Sequence, residues 1–157
     1  MKISTTMIGA YRVDSLVDTN ILVYCCDLRD QKKRTIARDV LRQGVATGLL
    51  RIPHQALMEF VSAVIKPRAG GPLLAREEAW RQVEDFLDEF IVLYPNESVF
   101  RIALLGMAAY KFSWYDAHLW ACAEHYGLPE LLSESFEHGR MYGRVRVRNP
   151  FLDRGVA

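Results

Sequence analysis

The sequence has no long apolar run, no spaced set of cysteines and no global charge, and each lack removes a class of protein. No stretch approaches the about 20 consecutive apolar residues of a membrane span, and Lys2 is not followed by the apolar core of a secretory signal. The three cysteines are Cys25 and Cys26, which are adjacent, and Cys122, in an Ala-rich stretch. An odd, unspaced set builds neither a disulfide framework nor a zinc knuckle, so the expected compartment is a reducing cytoplasm. His54, His118, His125 and His138 show no zinc-ligand spacing either. No Gly-x-Gly-x-x-Gly or Walker sequence occurs, which argues against dinucleotide and nucleoside triphosphate chemistry. The formal net charge of +1 gives no global basic field, so a nucleic-acid partner must be held by a local patch.

What is there is an ordinary globular mix in 157 residues, enough for one domain with a real core. No repeat, linker or low-complexity tract divides it. The expected organisation is a loose lead-in over 1–13, one domain over 14–151 and a tail over 152–157. Leu16 and Val17 read as a short strand that runs into Asp18. Ile21 to Cys26 is a short helix or turn. Gln31 to Gly44 is helical, with Ile36, Ala37, Val40 and Leu41 on one face. Its basic outer face is ordinarily solvated surface. Leu49 to Ile52 is a strand ending at Pro53, and Gln55 to Ile65 a helix that Pro67 ends. A Gly/Pro loop over Arg68 to Pro72 leads to an amphipathic helix over Ala75 to Phe90, a strand over Ile91 to Leu93 and a helix over Glu97 to Tyr110. Ser113 caps a further helix that carries Asp116 in its first turn. Leu131 to Ser133 is another short strand, and Val145 to Val147 alternates apolar and basic residues. Short strands alternating with helices predict an α/β domain, a central parallel sheet with helices on both faces.

Three acids share a kind of location. Asp18 follows a strand, Asp116 opens a helix, and Glu59 lies on a helix that itself follows a strand. In a doubly wound sheet, strand C-termini and helix N-termini meet at one edge, where ligands bind. Taken singly, each acid has a plainer use: Asp18 as a helix cap, Asp116 as a first-turn acid, Glu59 as an exposed residue of an amphipathic helix. Together they repel, and a hard divalent cation resolves the repulsion. Such an ion activates water and steadies charge on a phosphodiester. A phosphatase that begins from a strand-terminal aspartate would want a second aspartate two residues on, where this chain has Asn20.

The residues resemble a known family. Val17-Asp18-Thr19-Asn20-Ile21-Leu22-Val23-Tyr24, Gln55-Ala56-Leu57-Met58-Glu59-Phe60, Ser113-Trp114-Tyr115-Asp116-Ala117 and Leu131-Leu132-Ser133-Glu134-Ser135-Phe136-Glu137-His138-Gly139 occur in order at family-like spacing. With Arg146-Val147-Arg148-Asn149-Pro150-Phe151, they resemble PIN-domain proteins, most closely VapC-type ribonuclease toxins of bacterial toxin–antitoxin modules. The resemblance runs from about Asp14 to Phe151. It implies a Mg²⁺- or Mn²⁺-dependent endoribonuclease that leaves a 5′-phosphate and a 3′-hydroxyl. Asp18 and Asp116 would be the principal metal ligands, and Glu59 would bind metal directly or through water. It also implies a homodimer and a silencing antitoxin.

The chain departs from the family where a fourth acid is usual and Ser135 stands instead. A serine hydroxyl can hold a metal-bound water but brings no charge. Glu134 and Glu137 are the nearby substitutes, but neighbours on an extended chain point to opposite sides. The expectation is one working metal position and an impaired second one, which leaves open a weakened, binding or regulatory PIN-like module. Arg140, Arg144, Arg146 and Arg148, with Tyr142 among them, offer either a phosphate-binding surface or the protective charges of an edge strand.

Overall fold

The computed structural model describes residues 13–152. The expected lead-in and tail fall outside the described residues, apart from Val13 and Leu152. The elements run β1 (Ser15–Val17), α1 (Thr19–Tyr24), α2 (Gln31–Thr47), β2 (Leu50–Pro53), α3 (His54–Val64), α4 (Arg76–Glu89) and β3 (Ile91–Leu93). They continue with α5 (Glu97–Tyr110), α6 (Trp114–His125), β4 (Glu130–Leu132), β5 (Met141–Tyr142) and β6 (Val145–Arg148). The six strands form one sheet in the order β3-β2-β1-β4-β6-β5, parallel throughout except for β5. The α/β class expected from the sequence is therefore the class observed.

Burial on both faces explains the strand sequences. Successive residues point to opposite sides of a sheet, so a strand covered on both sides is apolar at every position. Val17, Ile52 and Leu132 enter the core beneath α1, α2, α3 and α4, while Leu16, Leu131 and Val147 enter the core beneath α5 and α6. Gly106 lets α5 and α6 approach closely: a Cβ built there would lie 2.7 Å from the Trp120 ring. Among the described residues, no helix is long and apolar enough to cross a membrane.

Two details differ from the sequence reading. The alternating tail is not an edge strand: β6 lies between β4 and β5. The edge is β5, joined to β6 by a tight turn in which Gly143 has φ of 59°. Two residues are too few to show a period, so β5 left no signal in the sequence. The first helix also begins earlier than Ile21, at Thr19, because Asp18 caps it.

What matters for function is where the chain reverses. From β1 it moves outward to β2 and β3, and then returns to place β4 on the other side of β1. Beyond the carboxyl ends of β1 and β4 the connections diverge, and such a switch point leaves a crevice for ligand.

Candidate functional site at the sheet switch point

Register alone brings the two ends of the chain together. Val17 pairs with Leu132, so Asp18 and Ser133 emerge side by side. The Asp18 amide donates to the Leu132 carbonyl at 2.9 Å, and the Ser133 hydroxyl donates to Asp18 Oδ2 at 2.5 Å. The Thr19 amide donates to Asp18 Oδ1 at 2.6 Å. Asp18 is thus both the helix cap and a carboxylate at the crevice; the two readings of it are compatible. Ser133 is fully buried, and its role was not read from the sequence.

The other two acids arrive on helices. Glu59 sits on α3, where the Thr19 hydroxyl donates to Oε2 and Gln55 Nε2 donates to Oε1, each at 2.8 Å. Gln55 also donates to the Tyr115 carbonyl, tying α3 to the start of α6. Asp116 occupies the first turn of α6, where its amide donates to the Ser113 hydroxyl at 3.3 Å. Asp18, Glu59, Asp116 and Ser135 all line one open cleft of about 390 Å³. The ion pairs among the described residues lie elsewhere, so none offsets these three carboxylates.

The electrostatic consequence is strongest at Asp18. Burial pushes its carboxyl from 3.8 up to about 7, against the hydrogen bonds from Ser133 and Thr19, and the charges of Asp116 and Glu59 add to the rise. Asp116 is also raised, first by burial and further by Glu59. These are carboxylates in want of a cation. The donor set is all hard oxygen, as Mg²⁺ and Mn²⁺ prefer. Asn20 Oδ1 adds a buried oxygen with no hydrogen-bond partner. The residues fit such an ion in kind. They are not closed upon it, for among the described residues no three His, Cys, Asp or Glu side chains gather at metal-ligand spacing.

The fourth corner is the serine. Asn20 Nδ2 donates to Ser135 Oγ at 3.1 Å and lies 3.3 Å from Asp18 Oδ2. Glu134 is no substitute: it accepts from Lys33 Nζ and from the Tyr24 hydroxyl, each at 2.7 Å, and does not line the cleft. Glu137 pairs with Arg140 on the surface. The arginines expected to meet nucleic acid do not line the cleft. Arg140 stacks on Tyr142, Arg144 pairs with Glu124, and Arg146 donates to the Gly139 carbonyl. Two cleft-lining arginines went unread in the sequence, Arg29 and Arg68. Both stand in loops, where no periodicity marks them.

A largely parallel α/β sheet with helices on both faces, and a switch-point cleft lined by three carboxylates that have no ion-pair partner among the described residues, define the class of fold and site. The chain belongs to the PIN domain family, which residues 15–136 match. Among solved structures, the fold is similar to VapBC from Salmonella typhimurium bound to DNA (TM-score 0.63, 18% identity, covering 88% of this chain and 98% of that one). It is also similar to Rickettsia felis VapBC2 bound to a fragment of its promoter (0.63, 13%, 86% and 97%). A third is VapC20 of Mycobacterium tuberculosis, a toxin that cleaves the sarcin–ricin loop (0.59, 15%, 78% and 89%). At these identities the likeness is one of fold. No curated protein matches the chain.

Proposed function

We propose that this protein is a PIN-domain member of toxin–antitoxin type whose metal-dependent endoribonuclease site is weakened, so that binding and regulation outweigh turnover. The carrying observation is Ser135 at the cleft, with no neighbouring acid turned in to replace it. That the acids stand open rather than gathered supports the same reading.

Asp18, Glu59 and Asp116 would hold Mg²⁺ or Mn²⁺. When bound, the ion supplies an activated water and steadies charge on the phosphodiester. The chain's own part is orientation. Ser133 and the Thr19 amide hold Asp18 in one rotamer, and Gln55 and the Thr19 hydroxyl hold Glu59, which orients the attacking water. Ser135 brings a hydroxyl to a place where a carboxylate would add charge. The partners are RNA and an antitoxin, and the compartment is the cytoplasm.

A second reading, a fully active ribonuclease toxin, is favoured by the convergence of the three carboxylates on one cleft. Both readings share a first test, cleavage of single-stranded RNA with Mg²⁺ or Mn²⁺. The wild type should cut slowly, and Asp18→Ala and Asp116→Ala should not cut. Equal rates in all three would overturn the mechanism.

A homodimer is part of the proposal. Phe100, Leu104 and Met107 are exposed on α5, and Leu104 is 49% exposed. Neighbours at three and four residue spacing make this a contiguous apolar face, the kind that marks an interface. Light scattering should give twice the chain mass for the wild type, and Leu104→Asp should shift it toward the monomer. A monomeric wild type would contradict the dimer.

A further inference from the structure

The cleft carries both signs of charge, and its basic side has no part in holding a cation. Arg29 and Arg68 line it together with Asp18, Glu59 and Asp116. Arg29 is 60% exposed, but its hydrogen bonds fix its guanidinium. Asp27 is only 5% exposed, and the turn after α1 anchors it through its amide on the Tyr24 carbonyl at 3.1 Å. Arg29 Nε donates to Asp27 Oδ1 at 2.8 Å and Nη2 to Oδ2 at 2.7 Å, and the Arg29 amide adds a third bond at 3.0 Å. A bidentate fork fixes the guanidinium plane. It engages Nε and Nη2 and leaves Nη1 outside the pair. These bonds hold the Asp27 carboxyl below its ordinary range, Arg29 first and Arg68 more weakly through its charge. Both Asp27 oxygens are therefore committed to Arg29.

Arg68 comes from the loop after α3. Its Nη2 donates to the Ala63 carbonyl at 3.0 Å, a use that any helix C-terminus invites. That bond does not account for Nε, which is buried and has no hydrogen-bond partner. With Asp27 taken by Arg29, the charge of Arg68 has no ion-pair partner among the described residues and stands beside the acids. A site that only held a divalent cation would gain nothing from it, since like charges repel. A substrate that is itself a chain of phosphates would.

We propose that Arg29 and Arg68 form a phosphate subsite that grips a single-stranded RNA backbone beside the three-acid centre, with Asp27 as the residue that positions Arg29. The inference rests on the nucleic-acid-acting reading of this cleft. It assigns the strand's register to these two arginines and not to the Arg140–Arg148 segment. Phosphate contacts of this kind position a strand without reading its sequence.

The test is fluorescence anisotropy of a labelled single-stranded RNA oligonucleotide, titrated in EDTA at several salt concentrations so that no cleavage occurs. Each neutralised phosphate contributes about 0.7 to the log–log salt slope for a single strand. Arg29→Gln and Arg68→Gln should each lower the slope by about 0.7, and the double variant should lower it by the sum. Arg29→Lys and Arg68→Lys should keep most of it, because the charge remains. Arg42→Gln, on the outer face of α2 where Arg42 is 70% exposed, removes the same charge and should leave the slope unchanged. Should Arg68→Gln fail to fold through loss of its helix contact, Arg29→Gln decides. A wild-type slope in the Arg29 variant, or an equal loss in the Arg42 control, overturns the subsite. So does binding of poly-glutamate, but not RNA, that depends on both arginines, because the groove would then suit an acidic polypeptide. Wild-type protein that never cleaves RNA with metal, but shows the predicted slopes, refutes the ribonuclease reading and leaves the subsite standing.

Discussion

Asp18→Asn should stabilise the metal-free protein by up to about 4 kcal/mol at pH 8 and by almost nothing near pH 4. The reason is burial. The folded protein keeps a proton on Asp18 until about pH 7, while the unfolded chain releases it near 3.8. Between those values the folded state binds the extra proton, so stability falls as pH rises, and above pH 7 the full penalty remains. Asparagine carries no charge at any pH and escapes the penalty. It can still accept from the Thr19 amide as a helix cap. Its amide would face the Ser133 hydroxyl, which can turn to accept, and Asn20 Nδ2, where Asn20 can rotate to present Oδ1, the oxygen that now lacks a partner. Denaturant unfolding in EDTA at pH 4, 6 and 8 measures the difference. Identical stabilities at pH 8 would show that Asp18 carries no burial penalty.

The sign reverses when a cation binds. Mg²⁺ or Mn²⁺ favours the ionised carboxylate, so wild-type protein should gain stability with added metal, and more at pH 8 than at pH 5. At a free metal concentration of about 100 times Kd the gain is about 2.7 kcal/mol. The Asp18→Asn variant should gain little. A substitution that stabilises the fold and abolishes the metal response is the expected mark of a site held at the expense of stability.

Ser135→Asp should raise metal-dependent RNA cleavage by about 10- to 100-fold, the range that changes in a metal site's supporting groups usually span. Ser135 is exposed at the cleft, so a carboxylate meets no packing obstacle there. It would add a fourth charge near the cation, and Asn20 Nδ2, now bonded to Ser135 Oγ, could hold the new oxygen. Without metal the same charge lies beside Asp18 and should push its carboxyl still higher, making the variant less stable than wild type at pH 8 in EDTA. Faster cleavage with lower metal-free stability is a paired signature that a simple improvement in folding would not produce. If cleavage is already brisk in wild type and does not change, the weakened reading is wrong and three acids suffice. If neither protein cuts, the ribonuclease chemistry itself is wrong.

The legibility of the site followed the regular structure. Asp18, Glu59 and Asp116 could be read because each stands at a definable place on an element (after a strand, beside a helix's apolar stripe, in a helix's first turn) and within a stretch that resembles the family. Periodicity marks such places. The segment after β4 has no period, and there the reading left Ser135, Glu134 and Glu137 all open. Lys33 and Tyr24, a hundred or more residues earlier, decide the matter by drawing Glu134 away. Arg29 and Arg68 escaped for the same reason. They lie in loops that only the packing of α1 and α3 brings to one cleft.

By itself, then, the sequence determined the order of the elements apart from β5, the α/β class and three candidate acids at one edge, because hydrophobic period and capping chemistry are local. Only the tertiary structure decided which side chains share the cleft. Strand order set β4 beside β1 and so Ser133 against Asp18; the bends after β4 brought Ser135 to the cleft; loop packing supplied two arginines. Those outcomes depend on contacts between residues far apart in the chain, which no local pattern encodes.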